Sequence, residues 1–235
     1  SEGEGQGKGG SHNLVIAYSE DLGLGPGVAP VDPEVAAICA RGAQRLAAAL
    51  GARLAQGAHP DVHDVVPIFR VLRAHRLRGL GFMLEEPGAS LIKEEMLGEV
   101  RRGISQPPQA VEEATAAHAA YCQRVLTFLA SHHLLVTPCV LTPPFDAATK
   151  WLRHGPQGHT FQEYTDWLIL TYALSLVPCP TLSLPVGFTA AGLPVGLQLV
   201  VRPGADDAVL AAAAEYERAH PECVRAVPLQ APVVH

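Results

Sequence analysis

The chain is short of lysine, of aromatics and of long apolar runs, and each shortage narrows what it can be. Lys8, Lys93 and Lys150 are its only lysines, and Lys plus Arg number 17 against 23 Asp plus Glu, a net charge of −6. A general nucleic-acid binder needs a basic face to neutralise phosphates, so this balance argues against one. No apolar run approaches the roughly 20 residues needed to cross a bilayer. Cys39, Cys122, Cys139, Cys179 and Cys223 are odd in number and lack C-x-x-C spacing. That argues against a disulfide framework and a structural zinc site, and fits reduced thiols in a cytoplasmic protein. No two serines are adjacent. No phosphate-cradling glycine loop or dinucleotide fingerprint precedes a helix, so no cofactor is implied.

Residues 1–13 are rich in glycine and charge and have no apolar core, so they do not read as a secretory signal. They read as a flexible leader or linker, or as a cloning remnant. With 48% apolar residues in 235, the rest has ample material for a buried core. Leu14–Tyr18 and Arg53–Gln56 read as short strands. Between them Asp32-Pro33 supplies an N-cap and a proline for the first helical turn. Val35, Ile38, Cys39, Leu46 and Leu50 then form one apolar stripe that Gly51 ends. Residues 61–84 and 91–102 are expected to be helical, parted by a turn at Pro87-Gly88. A longer helix is expected from Pro108 to Ser131, then a strand over Leu134–Thr137, a long irregular stretch from Pro138 to Thr160, and a helix over Glu163–Val177.

The clearest pattern lies near the end. Leu182, Leu184, Val186 and Phe188 alternate with Ser183, Pro185 and Gly187, as on a half-buried strand. Ala190-Ala191-Gly192 turns the chain, Leu197, Leu199 and Val201 alternate again, and Asp206 or Asp207 can cap a closing helix. Strands alternating with helices predict an α/β fold, a mixed β-sheet covered by helices.

These segments carry a family resemblance. P-T-L-S-L-P-V-G-F and G-L-P-V-G-L-Q-L-V resemble the C-terminal segment of amidase signature hydrolases. Upstream, E-Y-T-D-W-L (Glu163–Leu168), L-L-V-T-P-C (Leu134–Cys139), V-D-P-E-V (Val31–Val35) and L-V-I-A-Y-S-E-D-L-G (Leu14–Gly23) resemble successive landmarks of the same half, in the family's order. The resemblance implies that residues 14–235 are the second half of one amidase-like α/β domain. It implies hydrolysis of carboxamide C–N bonds through an acyl-enzyme, with a small-molecule amide as substrate. It also implies a missing N-terminal catalytic half, because the family's Ser-Ser loop and catalytic lysine have no counterpart here. Pro178 stands where the family usually has glycine, and Val201 where it often does. On this reading the chain is inactive alone. The alternative is a non-catalytic binding module that keeps the fold fragment.

Other constellations compete with plainer roles. Gly9-Gly10-Ser11-His12 imitates a serine loop but lies in the polar leader. Lys93 and Lys150 read as surface. Cys139 with a histidine would make a nucleophile, although a cysteine ending a strand is more often packing. His59 and His63 have i, i+4 spacing, which Pro60 spoils for a metal site. His132-His133 reads as a helix C-terminal pair. His154 and His159 lie in a loop that can border a cleft. Trp151, Tyr164 and Trp167 are the candidates to line an acyl pocket, with core or interface packing as the competing role.

Overall fold

Period-2 and period-3.6 patterning resolve into five strands and six α-helices in a computed structural model, which describes residues 14–85 and 88–223. The leader, the Gly9–His12 segment and Pro87 of the expected turn lie outside the described residues. The strands are β1 (Val15–Tyr18), β2 (Arg53–Gln56), β3 (Leu134–Pro138), β4 (Thr181–Phe188) and β5 (Pro194–Val200). They form one sheet in the order β2-β1-β3-β5-β4. β1 pairs in parallel with both β2 and β3, whereas β5 runs antiparallel to β3 and to β4. The sheet is therefore mixed, as its sequence pattern predicts.

Helix α1 (Pro33–Ala49) starts where expected: the Asp32 carboxylate accepts the N–H groups of Glu34 and Val35. Its stripe of Val35, Ile38, Cys39 and Leu46 is buried. Gly51, at φ +60°, takes the left-handed conformation that ends the helix. Leu184, Leu197, Leu199 and Val136 supply the core under this layer. α6 (Asp206–Ala219) lies beside α1 against β4. Asp206 and Asp207 sit in its first turn, and no side chain caps it. Their charge favours the positive helix end, a role different from the capping expected of them.

On the other face, α5 (Ile169–Ser175) meets the sheet through Gln198, whose amide donates to Leu170 O at 3.2 Å. Behind α5 stand α2 (Val65–Leu77) and α4 (Pro108–Ser131). The Tyr121 hydroxyl donates to Ala173 O at 2.6 Å, and Phe69 stacks on Tyr172 at 3.8 Å between centroids. α3 (Glu94–Ser105) packs on α2. Gly103 permits this approach: a Cβ there would stand 1.9 Å from the Ala74 carbonyl oxygen.

Two helices are shorter than expected. Residues 61–64 are held outside α2 by Arg124, which donates to Asp61 O at 3.1 Å and bonds the Asp64 carboxylate. Beyond Leu77 the chain tightens into a 3-10 helix as far as Leu84, where Gly79 and Gly81 weaken α-helix propensity. The start of the Glu163–Val177 segment is a turn, because Asp166 Oδ2 accepts the N–H groups of Gln162 and Glu163.

Candidate functional site

Parallel β1, β2 and β3 point their carboxyl ends the same way, which is where open α/β sheets bind ligands. Residues 19–32, 57–64 and 139–168 leave from that end. Two non-glycine residues there have left-handed backbones, Leu22 (φ +57°) and Gln157 (φ +56°). Conformations of this kind persist where surrounding structure over-determines them, as at binding sites.

Between these segments and helices α2 and α5 lies a cavity of about 210 Å³. Arg70, His159, Thr160, Gln162, Asp166 and Tyr172 give it its polar character, and Val28, Val66 and Ile169 its apolar wall. Arg70 Nη2 donates to Asp166 Oδ1 at 2.8 Å, while the other Asp166 oxygen holds the two backbone amides at 162 and 163. Asp166 thus fixes both the loop and the guanidinium. Burial pushes the Tyr172 phenol up, the nearby Asp166 charge adds to this, and Arg70 opposes it. Tyr172 therefore stays protonated at neutral pH. A guanidinium, an imidazole, hydroxyls and a carboxamide around one cavity suit hydrogen bonding to a polar carbonyl or carboxylate.

Along α5, the sheet face opens. Register places Thr137, Gln198 and Ser183 in one row across β3, β5 and β4. Thr137 and Gln198 are buried, whereas Thr181, Ser183 and Pro185 on the edge strand are exposed. Cys139 continues β3 over this face: its N–H donates to Gly196 O at 3.0 Å, its carbonyl accepts the Thr171 hydroxyl at 2.9 Å, and its sulfur lies 3.1 Å from Ser183 Oγ. Burial raises the Cys139 thiol pKa, and the Ser183 hydrogen bond only partly offsets this. A partly buried, protonated thiol hydrogen-bonded to a serine is not an activated nucleophile. Beside this face, Cys179 N–H donates to Val177 O at 2.8 Å, a tight turn in which Pro178 has no N–H to offer.

The three aromatic candidates separate into two groups. Trp151 and Tyr164 meet edge-to-face at 6.3 Å, and Trp151 Nε1 donates to Glu95 Oε1 at 2.8 Å. Trp167 packs edge-on against Phe145 at 5.3 Å. None of the three lines the Arg70 cavity. Of the histidines, His159 lines it. His154 pairs with Thr160 in an isolated bridge, and His133 Nδ1 accepts the Val15 N–H at 3.1 Å, joining β1 to the end of α4. His132 stacks on Phe128 at 4.1 Å. His63 bonds Asp61 at 2.6 Å, and His59 bonds Pro60 O at 2.9 Å. Among the described residues no three His, Cys, Asp or Glu side chains are grouped to hold a metal ion. All five cysteines are free thiols, and no described helix is long and apolar enough to cross a membrane. Sequence reasoning missed Arg70 and Asp166 because they lie 96 positions apart, and Asp166 does not stand out in E-Y-T-D-W-L, where Glu163 and Thr165 are polar too.

Comparison with known proteins agrees with this architecture. The amidase family model matches residues 5–210. An acylamidase of Rhodococcus erythropolis is 30% identical over 229 residues, covering 91% of this chain and 44% of that protein. A glutamyl-tRNA(Gln) amidotransferase component from Geobacter sp. (strain M21) is 33% identical over 155 residues, covering 62% of this chain and 30% of that one. Among solved structures, a bacterial aryl acylamidase of the amidase signature family superposes with a TM-score of 0.71 at 19% identity, over 90% of this chain and 44% of that one. The chain belongs to the amidase family, and it spans less than half the length of these relatives.

Proposed function

We propose that these 235 residues form the C-terminal half of a carboxamide hydrolase, completing the sheet and walling the substrate cleft. The observation that carries this reading is the Arg70–Asp166 cavity at the carboxyl ends of the parallel strands, in a sheet whose edge strand β4 leaves Thr181, Ser183 and Pro185 exposed. A substrate held there has its polar end fixed by Arg70, while the open edge receives the remainder of the domain. The serine nucleophile, the base and the oxyanion donors come from an N-terminal half, in keeping with relatives more than twice as long. The described residues offer no substitute: Lys93 and Lys150 are exposed, and Cys139 is a protonated thiol. Trp151, Tyr164 and Trp167 then brace the 139–168 loop beside the cleft. The complete enzyme works in the cytoplasm, where the five thiols of this chain stay reduced.

Relatives named acylamidase and aryl acylamidase make an N-acyl arylamide the first substrate to try. The chain alone is expected to show no turnover of p-nitroacetanilide and no labelling by a fluorophosphonate. Together with the family's N-terminal half, encoded upstream or as a partner, it is expected to gain both. Stoichiometric labelling at a serine within residues 1–235 overturns the proposal. The second reading, a non-catalytic binding module, draws on the same lack of a nucleophile. A start codon at residue 1, with no complementing partner, favours it.

A further inference from the structure

A second cleft, of about 310 Å³, lies beside α3 and shares no lining residue with the Arg70 cavity. Its lining is Arg73, Ile92, Lys93, Glu95, Met96 and Tyr164. Two cations and one carboxylate thus face the same space. The carboxylate is already engaged, since Glu95 Oε1 accepts the Trp151 indole N–H at 2.8 Å. Lys93 Nζ stands 5.3 Å from the Tyr164 ring centroid and donates to a neutral acceptor, Lys150 O, at 3.2 Å. Arg73 Nε is buried without a hydrogen-bond partner among the described residues. Glu99 Oε2 lies 3.9 Å from it, beyond hydrogen-bond reach, while the other Glu99 oxygen accepts from Arg102 at 3.1 Å. Among the described residues, Lys93 thus has no carboxylate within ion-pair distance and Arg73 Nε makes no hydrogen bond, so both cations keep donors for an anion, while Glu95 retains its own charge and Glu99 stands opposite Arg73. Ile92, Met96 and the Tyr164 ring give it an apolar side.

We propose that this cleft binds a small amphiphilic carboxylate, its anionic head held by Lys93 and Arg73 and its body lying on Ile92, Met96 and Tyr164. Charge-assisted hydrogen bonds supply selectivity for the anion, and the apolar contacts select against inorganic ions. The site stands on its own geometry and holds whether or not the chain is part of a hydrolase.

Benzoate is the probe and neutral benzamide its control. The chain has two methionines, Met83 and Met96, so selective ¹³C-methyl labelling gives a reporter inside the cleft, assigned through Met96→Leu. Benzoate is expected to shift the Met96 signal saturably, and to bind at least tenfold more tightly than benzamide. Lys93→Met, at an exposed position that the fold tolerates, is expected to weaken benzoate at least fivefold, while Arg70→Met leaves its affinity unchanged. Equal binding of benzoate and benzamide overturns the proposal. So does benzoate affinity that falls in Arg70→Met but not in Lys93→Met, because the ligand then occupies the other cavity. Absence of any Met96 shift overturns it as well.

Discussion

Arg70 Nη2 lies 2.8 Å from Asp166 Oδ1, tying α2 to the turn that leads into α5. The two partners contribute unequally. Asp166 also accepts two backbone N–H groups, at 3.0 and 2.9 Å, whereas Arg70 is partly exposed and its pairing is screened by solvent. Asp166→Ala leaves three donors unpaired and is expected to cost about 2–3 kcal/mol. Arg70→Met is expected to cost about 1 kcal/mol or less. Urea unfolding of both variants checks this, and equal losses contradict the view of Asp166 as the local hub. In the active enzyme, Arg70→Met is expected to raise KM for a polar acyl amide at least tenfold.

The α2–α3 contact gives a paired prediction. A methyl at Gly103 collides with the Ala74 carbonyl oxygen, so Gly103→Ala is expected to lose about 1–3 kcal/mol through forced separation of the helices. Gly98, also in α3, faces open space, with nothing within 4 Å of where a Cβ would stand. Gly98→Ala is expected to gain about 0.5–1 kcal/mol from helix propensity alone. Thermal unfolding separates the two, and shifts of the same sign refute the packing account.

Cys139 is expected to behave as a packing thiol. Burial favours its neutral form, so iodoacetamide at about pH 7.5 should alkylate it at least tenfold more slowly than a cysteine in an unfolded peptide. Cys139→Ala is expected to leave the activity of the complete enzyme within twofold. Rapid alkylation that abolishes activity would revive the thiol as a nucleophile.

Elements governed by local chemistry were legible in the sequence. The Asp32-Pro33 start, the Gly51 stop, β2 and the Pro108–Ser131 helix fall where patterning puts them. Some failures were local, as at Gly79 and Gly81 beyond α2 and at the uncapped start of α6, and others came where distant groups intervene. Arg124 reaches back 60 residues to Asp64 and keeps residues 61–64 out of α2. Asp166 spends its carboxylate on neighbouring amides and on Arg70, so the Glu163–Val177 helix loses its first turns. The same long-range pair made the cavity invisible to a reading along the chain. The aromatics drew notice instead, because Trp and Tyr carry a visible signature in sequence and an arginine 96 positions from its aspartate does not.

Glu20 offers a test through pH. It follows β1 at the end of the sheet that carries the cavity; the residue is exposed, and the partial burial of its carboxyl, with Asp21 adding to it, raises its pKa. Its charge in turn helps push up the Tyr18 phenol and the Cys39 thiol. A group whose pKa is higher folded than unfolded binds more protons in the native state, so stability falls as pH rises through that interval. Below the ordinary carboxylate range, about pH 4, both states are protonated and Glu20 adds no pH dependence. Above the folded value the full penalty applies. Glu20→Gln is therefore expected to match the parent protein at about pH 3, to become more stable relative to it as pH rises, and to keep a constant advantage through neutrality. Melting temperatures of the two proteins measured across that range check this. A difference that does not vary with pH, or that shrinks as pH rises, means the Glu20 carboxylate is not desolvated in the native state.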